Sequence, residues 1–195
     1  MDQSLETTMD VTQAMADELT DYLMGGSLYR QMMIRTPEGI KQPKMTLGAL
    51  LENLETLQWR RDALTDAQRA ALATIEEQMD IGRNAFSDQW QALLRRELKA
   101  LLDSWKWYLD DAAQDESARE NYPNEARIRT RIDVVNRALA GDSQTAAERK
   151  ELGALDARLK GMMRPGGFVG QPDEQAHYPR TEAWWLYGEP QGGDD

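Results

Sequence analysis

Between Thr65 and Asp115 the chain has no proline and no cluster of turn residues. Nothing there obliges a helix to stop, and this constrains the fold more than any other feature. Thr65-Asp66-Ala67-Gln68 reads as a capping box, with Thr65 bonding forward and Gln68 reaching back, so a helix starts at Asp66. Apolar positions recur along it at helical spacing, among them Leu72, Ile75, Met79, Phe86, Trp90, Leu94, Leu101, Trp105 and Tyr108. As one piece from Asp66 to Ala113 it extends about 70 Å at about 1.5 Å per residue. A compact domain of this length is roughly 35–40 Å across. Either the helix bends near Gly82, or part of it projects and its apolar stripe seeks a partner. The second possibility points to self-association.

The remaining chain predicts further helices. One runs from about Asp10 to Met24 on Val11, Met15, Leu19 and Tyr22, until Gly25-Gly26 interrupts it. A shorter helical piece, Ser27 to Arg35, carries Leu28, Met32 and Met33. Thr36, Pro37, Gly39 and Pro43 make a loop. The next helix starts at Thr46, an N-cap, and runs to about Asp62 on Leu47, Leu50, Leu51, Leu54 and Leu57. Asp115 to Pro123 reads as a loop. The following helix carries Ile128, Ile132, Val135 and Leu139. A second capping box, Thr145 to Glu148, opens a helix on Leu152, Leu155, Leu159 and Met162. Isoleucine and valine are few, so a sheet core has little to draw on. The expected fold is therefore all-α: a bundle of about five helices over residues 1–163, one of them very long, with a C-terminal arm at 164–195 that is not an independent domain.

A chain of 195 residues predicts one domain. There is no cysteine, which excludes a disulfide scaffold, a thiolate zinc site and a cysteine nucleophile. The first ten residues are polar and acidic rather than basic and then apolar, so they do not read as a secretory signal. No apolar run reaches the length of a membrane span. The expectation is a cytoplasmic protein without a membrane partner. A net charge of −11 disfavours nucleic acid and anionic lipid at long range.

The arm combines proline and glycine with Phe168, Tyr178, Trp184, Trp185 and Tyr187. A disordered linker is poor in aromatics, so these five side chains are the candidate interaction residues. Thr181 is placed to cap a short helical turn carrying Trp184, Trp185 and Tyr187. Three arrangements compete: a clamp on its own bundle, a swap onto a second subunit, or a docking peptide for another protein.

One pattern looks catalytic. Glu52-x-x-Glu55 is followed by Glu77-x-x-Asp80. This resembles the acidic arrangement with which helical nucleotide pyrophosphohydrolases of the MazG and dUTPase-like class hold magnesium, and the resemblance implies magnesium-dependent nucleotide hydrolysis at these four residues. Helical phase argues against a shared site. At about 100° per residue, Glu52 points away from the leucine stripe of its helix and Glu77 away from that of Leu72, Ile75 and Met79. The one histidine, His177, cannot build a histidine metal site and reads as a packing or surface residue. No G-x-S-x-G and no phosphate-cradling glycine motif occurs. Arg95, Arg96 and Lys99, with Arg127, Arg129 and Arg131, lie near Trp105, Lys106, Trp107 and Tyr108 in sequence. Such a set can grip phosphate and stack bases, or pair with the abundant carboxylates. Met24, Met32, Met33, Met162 and Met163 read as core filling. No cofactor is called for. The sequence favours a non-enzymatic, self-associating interaction or scaffolding protein, a homo-oligomer or one with a protein partner. Nucleotide hydrolysis and nucleic-acid association are the alternatives.

Overall fold

Ser4 opens helix α1 (Leu5–Asp17), its hydroxyl oxygen accepting from the Thr7 amide at 3.2 Å. The computed structural model describes residues 4–192. The expected start near Asp10 is too late, and the reason is chemical. Thr7, Thr8 and Thr12 are buried. Thr8 donates to the Ser4 carbonyl and Thr12 to the Thr8 carbonyl, at 3.1 and 2.6 Å. This satisfies hydroxyls that would otherwise disfavour a buried helix face. After α1 comes α2 (Leu19–Gly25), which Gly26 ends in the left-handed conformation at φ 61°.

The expected helix over Ser27 to Arg35 is absent. In its place are two antiparallel ladders: β1 (Arg30–Gln31) with β4 (Lys44–Met45), and β2 (Ile34–Thr36) with β3 (Gly39–Lys41). Ile34 and Thr36 are buried and Arg35 is exposed. That alternation is the period of a strand, and the turn at 37–38 between the two runs closes it into a hairpin. Strand Arg30–Gln31 finds its partner only across that turn, so local helical spacing misleads.

Helix α3 (Leu47–Trp59) begins at the predicted cap, Thr46. Leu47, Leu50 and Leu57 are buried. The Thr65 capping box forms as expected and opens α4 (Asp66–Ala85). Helix α1 packs on α3, α4 and β2, and α2 on α4. Gly82 does not bend the helix. A Cβ there would lie 2.9 Å from the Leu19 side chain, so the glycine lets α2 approach α4.

The very long helix is two. Phe86 leaves helical geometry, with φ −127° and ψ 42°, between α4 and α5 (Ser87–Ala112). Asn84, Ser87 and Asp88 surround the break, and such side chains compete for backbone hydrogen bonds and favour helix ends. The chain gathers into two units, Met1–Glu97 and Leu98–Asp195, which divide inside α5 rather than at the composition change after Met163.

In the second unit, α6 (Glu116–Glu120) occupies the predicted loop. It is followed by α7 (Tyr122–Ala138) and α8 (Ala146–Met162). The second capping box does not form. Asp142 instead accepts from the Gln144 amide, and the Thr145 hydroxyl donates to the Asp142 carbonyl. The arm contains a further ladder, β5 (Met163–Phe168) with β6 (Tyr187–Pro190). Gly166 and Gly167 lie in that strand rather than in a turn. Gly188, at φ 139°, is required: a Cβ there would lie 2.2 Å from the Arg164 carbonyl oxygen. The short turn Trp184–Leu186 starts after Ala183, not at a Thr181 cap. Of the loose end expected at Gly192 to Asp195, Gly192 is the last described residue and is exposed, and 193–195 lie outside the described residues. The protein is predominantly helical with three small two-stranded sheets among the described residues. Among these residues, no helix is long and apolar enough to cross a membrane.

Candidate functional site

The four candidate metal ligands lie on α3 and α4. Glu52 and Glu55 are half-buried, Glu77 and Asp80 exposed. Asp80 pairs with Arg83 at 2.6 Å, one turn along its own helix. Among the described residues, no group of three or more His, Asp or Glu side chains is arranged to hold a metal ion. Of the basic candidates, Arg95 is half-buried and belongs to the first unit. Lys99 and Arg127 are exposed and Arg131 half-buried in the second. His177 is exposed in a short turn over Pro172–His177. Of the methionines expected to fill the core, Met24 and Met33 are instead exposed.

The arm aromatics are largely occupied within their own unit. Trp185 is buried. Its indole N–H donates to Thr130 Oγ1 at 3.1 Å, and its carbonyl accepts from the Tyr122 hydroxyl. The Arg129 guanidinium stacks 4.0 Å from the Trp185 ring while binding both oxygens of Asp156, at 2.8 and 2.9 Å. Trp184 lies under Lys160 and Tyr187 under Arg180, at 4.5 and 5.2 Å. Phe168 packs against Tyr178 and Tyr187. Phe168, Tyr178, Trp184 and Tyr187 are each half-buried. Burial holds the Tyr122 hydroxyl far above the usual tyrosine range.

Two features escaped the sequence reading. The first is Glu97, 2 % exposed. It accepts from the Thr46 hydroxyl at 2.5 Å and from the Gly48 amide at 2.8 Å. A carboxylate thus caps the N-terminus of α3, where helix polarity favours negative charge. Tyr22 is buried nearby, donating to the Leu28 carbonyl at 2.8 Å; burial and then the Glu97 charge raise its pKa.

The second is a groove of about 530 Å³ in the Leu98–Asp195 unit. One wall is α5, through Asp103, Ser104, Trp107, Tyr108 and Asp111. The other is α6 and α7, through Ala118, Asn121, Glu125 and Ile128. The α5 wall follows from helical phase. At about 100° per residue, Trp107 lies about 160° round the helix from Trp105, on the face with Asp103, Ser104 and Asp111. Leu102, Trp105, Leu109 and Ala112 are buried on the other face. Trp107 is left 73 % exposed. A tryptophan on the polar face of an amphipathic helix was the available signal in the sequence.

The chain matches no family model, no curated protein and no solved structure.

Tyr108 sits at the floor of the groove, 7 % exposed and stacked on Trp105 with ring centroids 5.2 Å apart. Its hydroxyl is buried without a hydrogen-bond partner. Burial raises its pKa above the usual range. The Glu125 charge raises it further. Glu125 accepts from the Asn121 amide at 2.8 Å. The Ser104 hydroxyl donates to the Ala100 carbonyl at 3.0 Å, so it is turned along its own helix. A second hollow, lined by Gln114, Asp115 and Ser117, shares Asp111, Ala118 and Asn121 with the first. This set offers carboxylates, a phenol oxygen and an open indole face.

Proposed function

We propose that this is a non-enzymatic protein-interaction module whose contact face is the groove between α5 and α6–α7. The observation that carries the reading is Trp107: a large amphipathic side chain, 73 % exposed, on the rim of a groove with an unsatisfied hydroxyl at its base. Tryptophan and tyrosine anchor interfaces because they bury much area at low entropic cost. In the arm, Trp185 is already enclosed by Thr130, Tyr122 and Arg129. Self-association, expected from one unbroken helix that Phe86 divides into two, becomes one outcome of the test.

The experiment compares the full chain with Trp107→Ala and with Ile81→Ala, an exposed apolar control on α4. Partners recovered from the native host are purified and titrated directly against each form. The expected result is a partner whose affinity falls at least about tenfold with Trp107→Ala and is unchanged with Ile81→Ala. Equal affinity for all three forms overturns the reading. A concentration-dependent dimer lost in Trp107→Ala, seen by sedimentation, makes the partner a second copy. Magnesium-dependent phosphate release from a nucleotide panel, abolished by Glu77→Gln and Asp80→Asn, replaces the reading with hydrolysis.

A further inference from the structure

We infer that the groove takes an arginine-bearing peptide segment of a protein partner, an inference that rests on the reading of the groove as a contact face. Arg129 lies between two acceptors: Asp156, which takes two of its N–H bonds, and Trp185, whose ring it covers at 4.0 Å. The other arm indole, Trp184, has Lys160 above it, and Tyr187 has Arg180. Trp107 has no such cation among the described residues. Beside it stand Asp103 and Asp111, neither of which has a side-chain partner there, and Glu125, whose one partner is the neutral Asn121 amide. Asp110, one residue from Asp111, is by contrast held by Arg158. The groove therefore presents the same two acceptors as the Arg129 site, carboxylate and indole, without the arginine.

Acidic residues alone would not make a site. The independent observation is Tyr108, a groove-lining side chain more than nine-tenths buried whose hydroxyl is unpaired. A buried polar atom without a partner is costly, and a donor that enters beside it relieves that cost. A guanidinium fits all three demands. It carries five N–H donors for carboxylates and the phenol oxygen, and a flat face for the indole. An ammonium offers a point charge and fewer donors. Asp115, in the adjoining hollow, extends the acidic track by which a second basic residue of the segment is held. The chain's net charge of −11 draws such a segment in from a distance.

The test uses the full chain and fluorescently labelled synthetic peptides with several arginines in a glycine–serine background. Matched peptides carry lysine, neutral citrulline or glutamate instead. Fluorescence anisotropy reads binding at about 50 and 200 mM salt. Expected are micromolar-order affinity for the arginine peptide, about tenfold weaker binding of the citrulline peptide, and weakening with salt. Trp107→Ala and the double variant Asp103→Asn/Asp111→Asn each weaken the arginine peptide about tenfold. Trp107→Phe, which keeps a ring face, retains most of the affinity, and Glu151→Gln, an exposed carboxylate on α8, changes nothing. All these positions are exposed, and circular dichroism verifies that each variant stays folded. Equal binding of arginine and citrulline peptides, indifference to both groove variants, or no binding up to about 1 mM overturns the inference. If the arginine peptide fails while Trp107→Ala still releases a native partner, only the cationic occupant is wrong. If Trp107→Ala has no effect in either experiment, the contact face is wrong as well.

Discussion

Trp185 and Trp107 belong to the same unit, yet one is 3 % and the other 73 % exposed. The groups of Trp185 itself are met within the chain: its N–H has Thr130, its carbonyl has Tyr122 and its ring has Arg129. Around Trp107 the same kinds of group stand open, with Asp103, Asp111 and the Tyr108 hydroxyl on one groove. The arm carries more aromatics, and in the sequence it reads as a clamp on its own bundle, a swapped element or a docking peptide. The difference between the two places teaches that aromatic content does not by itself leave a surface open. What stays open is the aromatic and polar capacity that the fold has not met.

The largest expected effect falls on the satisfied side. Trp185→Ala removes a buried indole with its hydrogen bond and its arginine, and should cost about 3–5 kcal/mol. Thermal unfolding should show the midpoint lowered by roughly 2–4 °C per kcal/mol. A midpoint within a degree of the parent's would mean that the arm is not docked as described. Next come two tyrosines, 6.2 Å apart by ring centroid, treated identically. Tyr122→Phe strands the buried Trp185 carbonyl and should destabilise by about 1–3 kcal/mol. Tyr108→Phe removes a hydroxyl that has no partner, and should be neutral or stabilising by up to about 1 kcal/mol. Denaturant unfolding of the pair measures this contrast directly. Equal losses in both would show that the Tyr108 hydroxyl is satisfied, and the groove would lose its buried polar anchor. The smallest effect on stability belongs to Trp107→Ala, within about 0.5 kcal/mol of the parent. A loss of several kcal/mol there would make Trp107 a packing residue and erase the distinction between the two tryptophans.

Much of the helical framework was legible because it is local. The Thr65 box needs only Gln68, three residues on, and both of its hydrogen bonds form. The α3 stripe and its Thr46 cap follow from spacing and one hydroxyl. The hairpins were hidden because their evidence is distant: Arg30 pairs with Met45 across a turn, and nothing within Ser27 to Arg35 announces that partner. Glu97 was illegible for the same reason. Its place beneath α3 depends on a backbone amide 49 residues away. For the candidate site, the phase of α5 already put Trp107 and Asp111 on one face. The unpaired state of Tyr108 and the opposing wall of Asn121 and Glu125 depend on α6 and α7.

By itself, then, the sequence determined where most helices run and which face of each is apolar, because periodicity and capping act within a few residues of backbone. It did not place the helix break at Phe86, because no proline or turn cluster marks the stretch around Asn84 to Asp88. Tertiary structure alone decided which polar and aromatic groups found partners. A carboxylate, a guanidinium or an indole is satisfied by whatever the fold brings to it in space. In this chain that distinction separates Asp156, covered by Arg129, from Asp103 and Asp111, which are open to a cation from outside.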